Sequence, residues 1–223
     1  MKICFRFYFS CIFLFFCPVV SAEPLEILIP VLSEKTSTVS DENVKKAGQL
    51  FDDAIAAAKE KKRAETARLL LQVLDLHPDN KEIRTLLGWH FDNGNWKTLW
   101  EIDMLKRNSV NHPVFGYLPA ANVARYEKGE RFVPKFGWIS KADEALLRSD
   151  IRNGWEITTE HYNLKTSHSL EKGTETARQL EQFYRSWQLL FLGFLLDDSV
   201  LQRLADGKVI SLAAQRYQVF LYR

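Results

Sequence analysis

Near its start the chain carries an apolar run, residues 7–17, with Lys2 and Arg6 before it and Val20-Ser21-Ala22 after it. A basic start, a short apolar stretch and small residues at −3 and −1 of a cut before Glu23 make the layout of a secretory signal peptide. The run is too short to cross a ~30 Å hydrocarbon core as a helix. The expectation is a protein exported to the periplasm, cell envelope or exterior, with residues 1–22 removed and no integral membrane span afterwards. Residues 23–42 contain Ser, Thr and Pro without periodicity and read as a flexible tether.

From residue 43 the period becomes helical. Val44, Ala47, Phe51, Ala54, Ile55 and Ala58 recur at spacings of three and four until the charged run 59–63 breaks the apolar face. Ala67, Leu70, Leu71 and Leu74 define a second helix that ends near His77-Pro78-Asp79-Asn80, where proline stops it and Asp and Asn suit a turn. Ile83, Leu86, Leu87 and His90 predict a third helix over 81–91, closed by Asn93-Gly94. Within this stretch, Leu70-x-x-Val73-Leu74-Asp75-Leu76-His77-Pro78 resembles the second helix and closing proline of a tetratricopeptide repeat. Leu87-Gly88-x-x-Phe91 resembles the first helix of the next repeat, with a small residue allowing close helix approach. The resemblance covers about one and a half repeats. It implies a helical region over 43–94 that engages a peptide or another envelope protein, or an ordinary helical hairpin capping the next domain.

Residues 95–154 are rich in aromatics and glycine. Phe115-Gly116-Tyr117-Leu118-x-x-Ala and Phe136-Gly137-Trp138-Ile139-x-x-Ala recur 21 positions apart, each ahead of a polar helical stretch, 122–128 and 142–153. They predict two strand–helix units related by duplication. Ser140 with Asp143 reads as the N-terminal cap of the second helix.

Over 155–223, residues 155–159 and 161–166 read as strands, the second with Tyr162, Leu164 and Thr166 on one face and His161, Asn163 and Lys165 on the other. A long helix follows over 170–196, with Ala177, Leu180, Tyr184, Trp187, Phe191 and Phe194 as its apolar stripe. A short helix at 200–204 and an alternating strand at 216–222 complete the pattern. Trp155-Glu156-Ile157-Thr158-Thr159-Glu160-His161-Tyr162-x-Leu164-x-Thr166, Leu180-Glu181-x-Phe183-Tyr184 and Tyr217-x-Val219-x-Leu221-Tyr222 resemble the opening of a peptidase-like domain of exported bacterial proteins. That domain is related to the gluzincin class of zinc metallopeptidases, and its companion N-terminal region resembles residues from about 45 onward. The resemblance implies a His-Glu-x-x-His helix downstream of the last strand. None is present here, so no catalytic residue of that family transfers to this chain.

Composition narrows the chemistry. All three cysteines, Cys4, Cys11 and Cys17, lie in the signal segment, so a mature chain of 201 residues uses no disulfide, thiolate metal site or cysteine nucleophile. Phe16 before Cys17 is wrong for a lipoprotein signal, which needs a small residue there, and Tyr8-Phe9-Ser10 before Cys11 is a poor match. Loss of Lys2 and Arg6 takes the 30 Lys and Arg to 28, equal to the 28 Asp and Glu. No basic excess remains to attract nucleic acid or anionic lipid. The five histidines, His77, His90, His112, His161 and His168, include no pair four apart, as two zinc ligands on one helix face would be. His161 with His168 is the alternative metal pair, and a surface or turn histidine is the plainer reading. Asp52-Asp53 and Asp197-Asp198 are neighbours that point apart on a helix, which suits solvated faces or caps. Trp96, Trp100, Trp138, Trp155 and Trp187 suit either a core or a ligand-stacking surface.

The sequence therefore predicts an α+β, predominantly helical protein: signal peptide 1–22, tether 23–42, tetratricopeptide-like region 43–94, middle region 95–154 and peptidase-like domain 155–223. It offers no catalytic, cofactor-binding or metal residue to name and no cofactor. Two functions compete: a non-catalytic interaction or scaffold module, and the front part of a zinc metallopeptidase whose His-Glu-x-x-His segment is missing. The strand at 216–222, rich in exposed-edge hydrophobics, favours an incomplete domain. The signal reading has a direct check. N-terminal sequencing of the protein recovered from an exporting host is expected to begin at Glu23, and a start at Met1 would show a retained anchor.

Overall fold

The computed structural model describes residues 36–209, 211–212 and 215–222. The expected signal peptide and residues 23–35 of the expected tether lie outside them. The chain is α+β and divides into two compact units. One lies within Glu23–Ile102 and Gln182–Ala213, the other within Asp103–Glu181 and Ala214–Arg223. Among the described residues no helix is long and apolar enough to cross a membrane.

The first unit is helical. Helix α1 (Asp41–Lys59) begins inside the expected tether because the Ser40 hydroxyl accepts the Asn43 N–H at 3.3 Å, with Asp41 and Glu42 at the positive end. Helix α2 (Arg63–Leu76) follows after a tight turn and completes a helical hairpin. Ala47, Ala54, Ala57 and Ala58 of α1 share one core with Leu69, Leu70, Val73 and Leu74 of α2. Small side chains on α1 let the leucines interdigitate at close range.

Helix α3 (Lys81–Leu86) is capped by Asn80, whose Oδ1 accepts the Ile83 N–H at 3.0 Å. It stops at Leu86, and Gly88 turns the chain with φ +92°. The helix expected over 81–91 is thus corrected at its second half. Trp89–Asp92 is strand β1, paired antiparallel with β2 (Asn95–Thr98). Asn93-Gly94, expected to end a helix, instead makes the two-residue hairpin turn, with φ +49° and +83°. Residues 87–91 therefore do not supply the first helix of a second tetratricopeptide unit. Helix α4 (Leu99–Lys106) starts from a reciprocal cap: Glu101 N–H donates to Thr98 Oγ1 at 3.3 Å, and Thr98 N–H donates to Glu101 Oε2 at 2.8 Å.

The same hairpin-then-helix pattern recurs in the second unit. Strands β3 (Ser109–His112) and β4 (Gly116–Pro119) precede α5 (Val123–Glu127). Strands β5 (Glu130–Val133) and β6 (Gly137–Ser140) precede α6 (Lys141–Leu147). The two expected strand–helix units are present, each with a further strand ahead of it, and 89–106 is a third copy. Ser140 caps α6 as expected, its Oγ accepting the Asp143 N–H at 3.1 Å. Helix α6 ends at Leu147, and the rest of the helix expected to 153 is a bend and a 3-10 turn.

The second unit also holds a three-stranded sheet. Strand β7 (Trp155–Thr158) lies antiparallel to β8 (Tyr162–Thr166), and β8 lies parallel to β9 (Tyr217–Leu221), with Ile157, Leu164 and Val219 in register. Helix α7 (Leu170–Leu190) covers this sheet with its first turns. A Cβ on Gly173 would fall 2.5 Å from Ile157 Cδ1 and 2.9 Å from Thr166 Cγ2. Glycine there sets how closely helix and sheet meet. Three strands and a covering helix satisfy what a two-stranded sheet cannot.

The helix expected over 170–196 breaks at Phe191, and α8 (Leu192–Leu195) and α9 (Asp198–Ala205) follow. Its expected stripe is also corrected. Ala177 and Tyr184 are buried, but Phe191 and Phe194 are exposed, while Leu189, Leu192, Leu196, Leu201 and Leu204 enter the core of the helical unit. The buried face of the C-terminal half lies along 184, 189 and 192, a different side from 187, 191 and 194.

Gly173 provides a test of the helix–sheet contact. Alanine gains up to about 1 kcal/mol of helix propensity, yet its methyl must displace Thr166, a stiff β-branched side chain that is fully buried. Overpacking of this kind costs about 1–3 kcal/mol. Gly173→Ala is expected to lower the urea midpoint, with a net loss of up to about 2 kcal/mol after the propensity gain is subtracted. A midpoint at or above that of the natural chain would refute the contact.

Candidate functional site

The richest cluster of chemistry-bearing side chains forms at the turn between β7 and β8. Thr159 N–H donates to Tyr162 O at 2.8 Å, and Tyr162 N–H donates to Thr159 Oγ1 at 3.2 Å, closing the turn. His161 is 6 % exposed. Glu181, from the second half of α7, reaches this turn with both carboxylate oxygens: Oε1 accepts the His161 backbone N–H at 2.8 Å, and Oε2 lies 2.7 Å from His161 Nδ1. On the strand side, Tyr217 N–H donates to His161 O at 2.8 Å and Arg216 Nε donates to Glu160 O at 3.1 Å. One turn is thereby tied to the helix above the sheet and to the parallel strand beside it.

Burial pushes the Glu181 carboxyl upward. The hydrogen bond and charge of His161, the Thr159 hydroxyl and the His161 N–H outweigh burial, and the group sits below the usual glutamate range. Ligand atoms of Glu160, His161 and Glu181 all lie within 4.8 Å of one another, which among the described residues is the arrangement able to hold a cation. Both Glu181 oxygens already face His161 donors, however. A cation there must compete with a charge-assisted pair. As built, the cluster is a clamp that orders a turn.

The other residues raised by the sequence are dispersed. His161 lies in a turn, as the plainer reading has it, but is buried rather than on the surface. His168 sits at the start of α7, where its Nδ1 accepts the Ser169 N–H at 2.9 Å, so His161 and His168 have separate partners. His112 Nδ1 accepts the N–H groups of Val114 and Phe115 at the β3–β4 loop. Asp197 caps α9 through the Val200 N–H at 2.9 Å, and Asp198 pairs with Arg63 at 2.5 Å. Trp96 and Trp155 are core residues of different units. Trp96 Nε1 donates to Asp79 at 2.7 Å, and its ring lies 5.2 Å from the buried Arg84 guanidinium.

A second feature is apolar. On α7, α8 and the break between them, Phe183 is 57 %, Leu190 62 %, Phe191 42 % and Phe194 84 % exposed. Trp187, Phe191 and Phe194 follow one another as tilted ring contacts at 5.7 and 6.1 Å. Periodicity places these three in a buried stripe and singles out neither Phe183 nor Leu190. Nor does it pair Glu181 with His161. The one signal in the sequence is that Glu181 and Arg185, one turn apart, are the only charged residues between Gln179 and Leu196.

The clamp yields a pH prediction. A glutamate whose folded pKa lies below its unfolded value, 4.5 here, contributes stability that is present above that value and lost as pH falls through the folded pKa. Glu181→Gln leaves a buried turn N–H or ring nitrogen facing an amide donor. It is expected to cost about 1–3 kcal/mol at pH 7. Urea titrations should show the gap from the natural chain closing as pH falls below about 4.5; a gap independent of pH would contradict the clamp. Comparison with family models, with characterised proteins and with solved structures finds no match to this chain.

Proposed function

We propose that this chain is an exported, non-catalytic interaction module that works through its helical unit. The observation that carries this reading is the solvent-facing apolar stripe of Phe183, Leu190, Phe191 and Phe194. These residues belong to helices whose opposite sides, Leu189, Leu192 and Leu196, are already in a core. Large apolar side chains grouped on one face mark a surface that another molecule covers. The secretory layout of residues 1–22 supports export, and the balanced charge of the expected mature chain supports a protein partner over nucleic acid or an anionic membrane.

The test is photo-crosslinking in the exporting host. A photoreactive residue at Leu190 is expected to give discrete protein adducts, while the same probe at the exposed Glu175 gives none. Absence of any adduct from Leu190 would overturn the interaction reading.

A further inference from the structure

The exposed stripe has features that bear on what covers it. Its exposed members are Phe183, Leu190, Phe191 and Phe194, and the half-buried Trp187 is joined to Phe191 and Phe194 by ring contacts that continue across the break at Phe191. Between Gln179 and Leu196 the chain carries only two charged residues, Glu181 and Arg185. Both are engaged elsewhere: Glu181 on the His161 turn, and Arg185 over the Trp89 ring at 4.5 Å and 4.0 Å from Glu101. The stripe itself is uncharged.

Resting on the interaction reading above, we infer that the occupant is a second copy of this chain, the α7–α8 faces meeting across a twofold axis. In an isologous interface the same patch meets itself. A charged patch would then face like charge. An uncharged apolar one meets no such penalty, and the expected mature chain, with equal numbers of acidic and basic residues, adds no long-range repulsion.

The area is also appropriate. Aromatic side chains offer ~150–250 Å² each when fully open. At the observed exposures, Phe183, Leu190, Phe191 and Phe194 present on the order of 450 Å² together. A standard interface takes ~800 Å² per partner, and in homodimers ~65 % of it is apolar. The stripe supplies about what the apolar part of one side requires. A twofold arrangement limits the association to two copies, because the patch is used up by its own copy.

Sedimentation equilibrium of the mature chain, residues 23–223, over 1–100 µM tests this. The expected result is a monomer–dimer equilibrium with no higher species. Phe194→Glu, at a position 84 % exposed, is expected to keep the circular dichroism spectrum and weaken dimerisation by ~30-fold or more, the loss typical of an interface hot spot. Should that variant misfold, Leu190→Cys in the otherwise cysteine-free mature chain is expected to form a covalent dimer on mild oxidation. A natural chain that stays monomeric at 100 µM, or that polymerises without limit, overturns the homodimer. If it is monomeric while Leu190 still crosslinks to a different protein, the interaction reading stands and the homodimer fails; if it is monomeric and gives no adduct, both fail.

Discussion

Helix α7 carries apolar side chains on more than one of its faces. Its first turns lie on the β7–β8–β9 sheet through Gly173, and its last turns feed Leu189 into the helical core. A surface helix normally presents one apolar stripe and one polar face. Here the polar residues thin out after Arg185, and the side away from the core remains apolar. The break at Phe191 then turns α8 so that Leu192 and Leu196 are buried while Phe194 points into solvent. The open stripe thus follows from composition as much as from geometry.

Buried arginines fix hairpins within each unit. Arg84 lies over Trp89 and Trp96 at 5.4 and 5.2 Å, and its Nε donates to Pro78 O at 2.7 Å. Burial lowers its pKa to about 10, with Asp79 opposing the shift and Arg185 adding to it, so the guanidinium remains charged at neutral pH. Arg131 repeats the device in the other unit, over Phe115 at 4.9 Å, with Tyr126 O and Glu171 Oε1 as acceptors at 3.0 and 2.7 Å. A planar cation that stacks on rings while most of its N–H groups find fixed acceptors can be buried where an ammonium would not fit. Glu171 responds in kind. Burial raises its carboxyl, but Lys141, its own backbone and Arg131 bring it down to about 2.

What the sequence showed and what it hid divide along physical lines. The α1–α2 hairpin was visible because Ala47, Ala54, Leu70 and Leu74 keep a strict helical period with a charged break between. Strands β8 and β9 were visible because Tyr162, Leu164, Val219 and Leu221 alternate. Strand β1 was not, because His90 and Leu87 fit a helical period equally well and Asn-Gly serves both as a helix stop and as a hairpin turn. Strands β3 and β5 are four residues long, the first mostly polar and the second half polar, too short for any period to register. The error at Phe191 and Phe194 has a different origin. Periodicity reports which residues share a face, not whether anything covers that face. The Glu181–His161 clamp joins positions twenty apart, and only the folded helix brings them together.

The most direct test of the central claim, that the outer face of α7 and α8 is covered by another molecule, is side-chain accessibility in the exporting cell. With all three natural cysteines in the signal segment, a single cysteine at Leu190 or Phe194 is a clean probe for a membrane-permeant maleimide. The account predicts slow labelling of these positions in intact cells and fast labelling after denaturation, with a cysteine at the exposed Glu175 fast in both. Equal, fast labelling at Leu190, Phe194 and Glu175 in intact cells would contradict it.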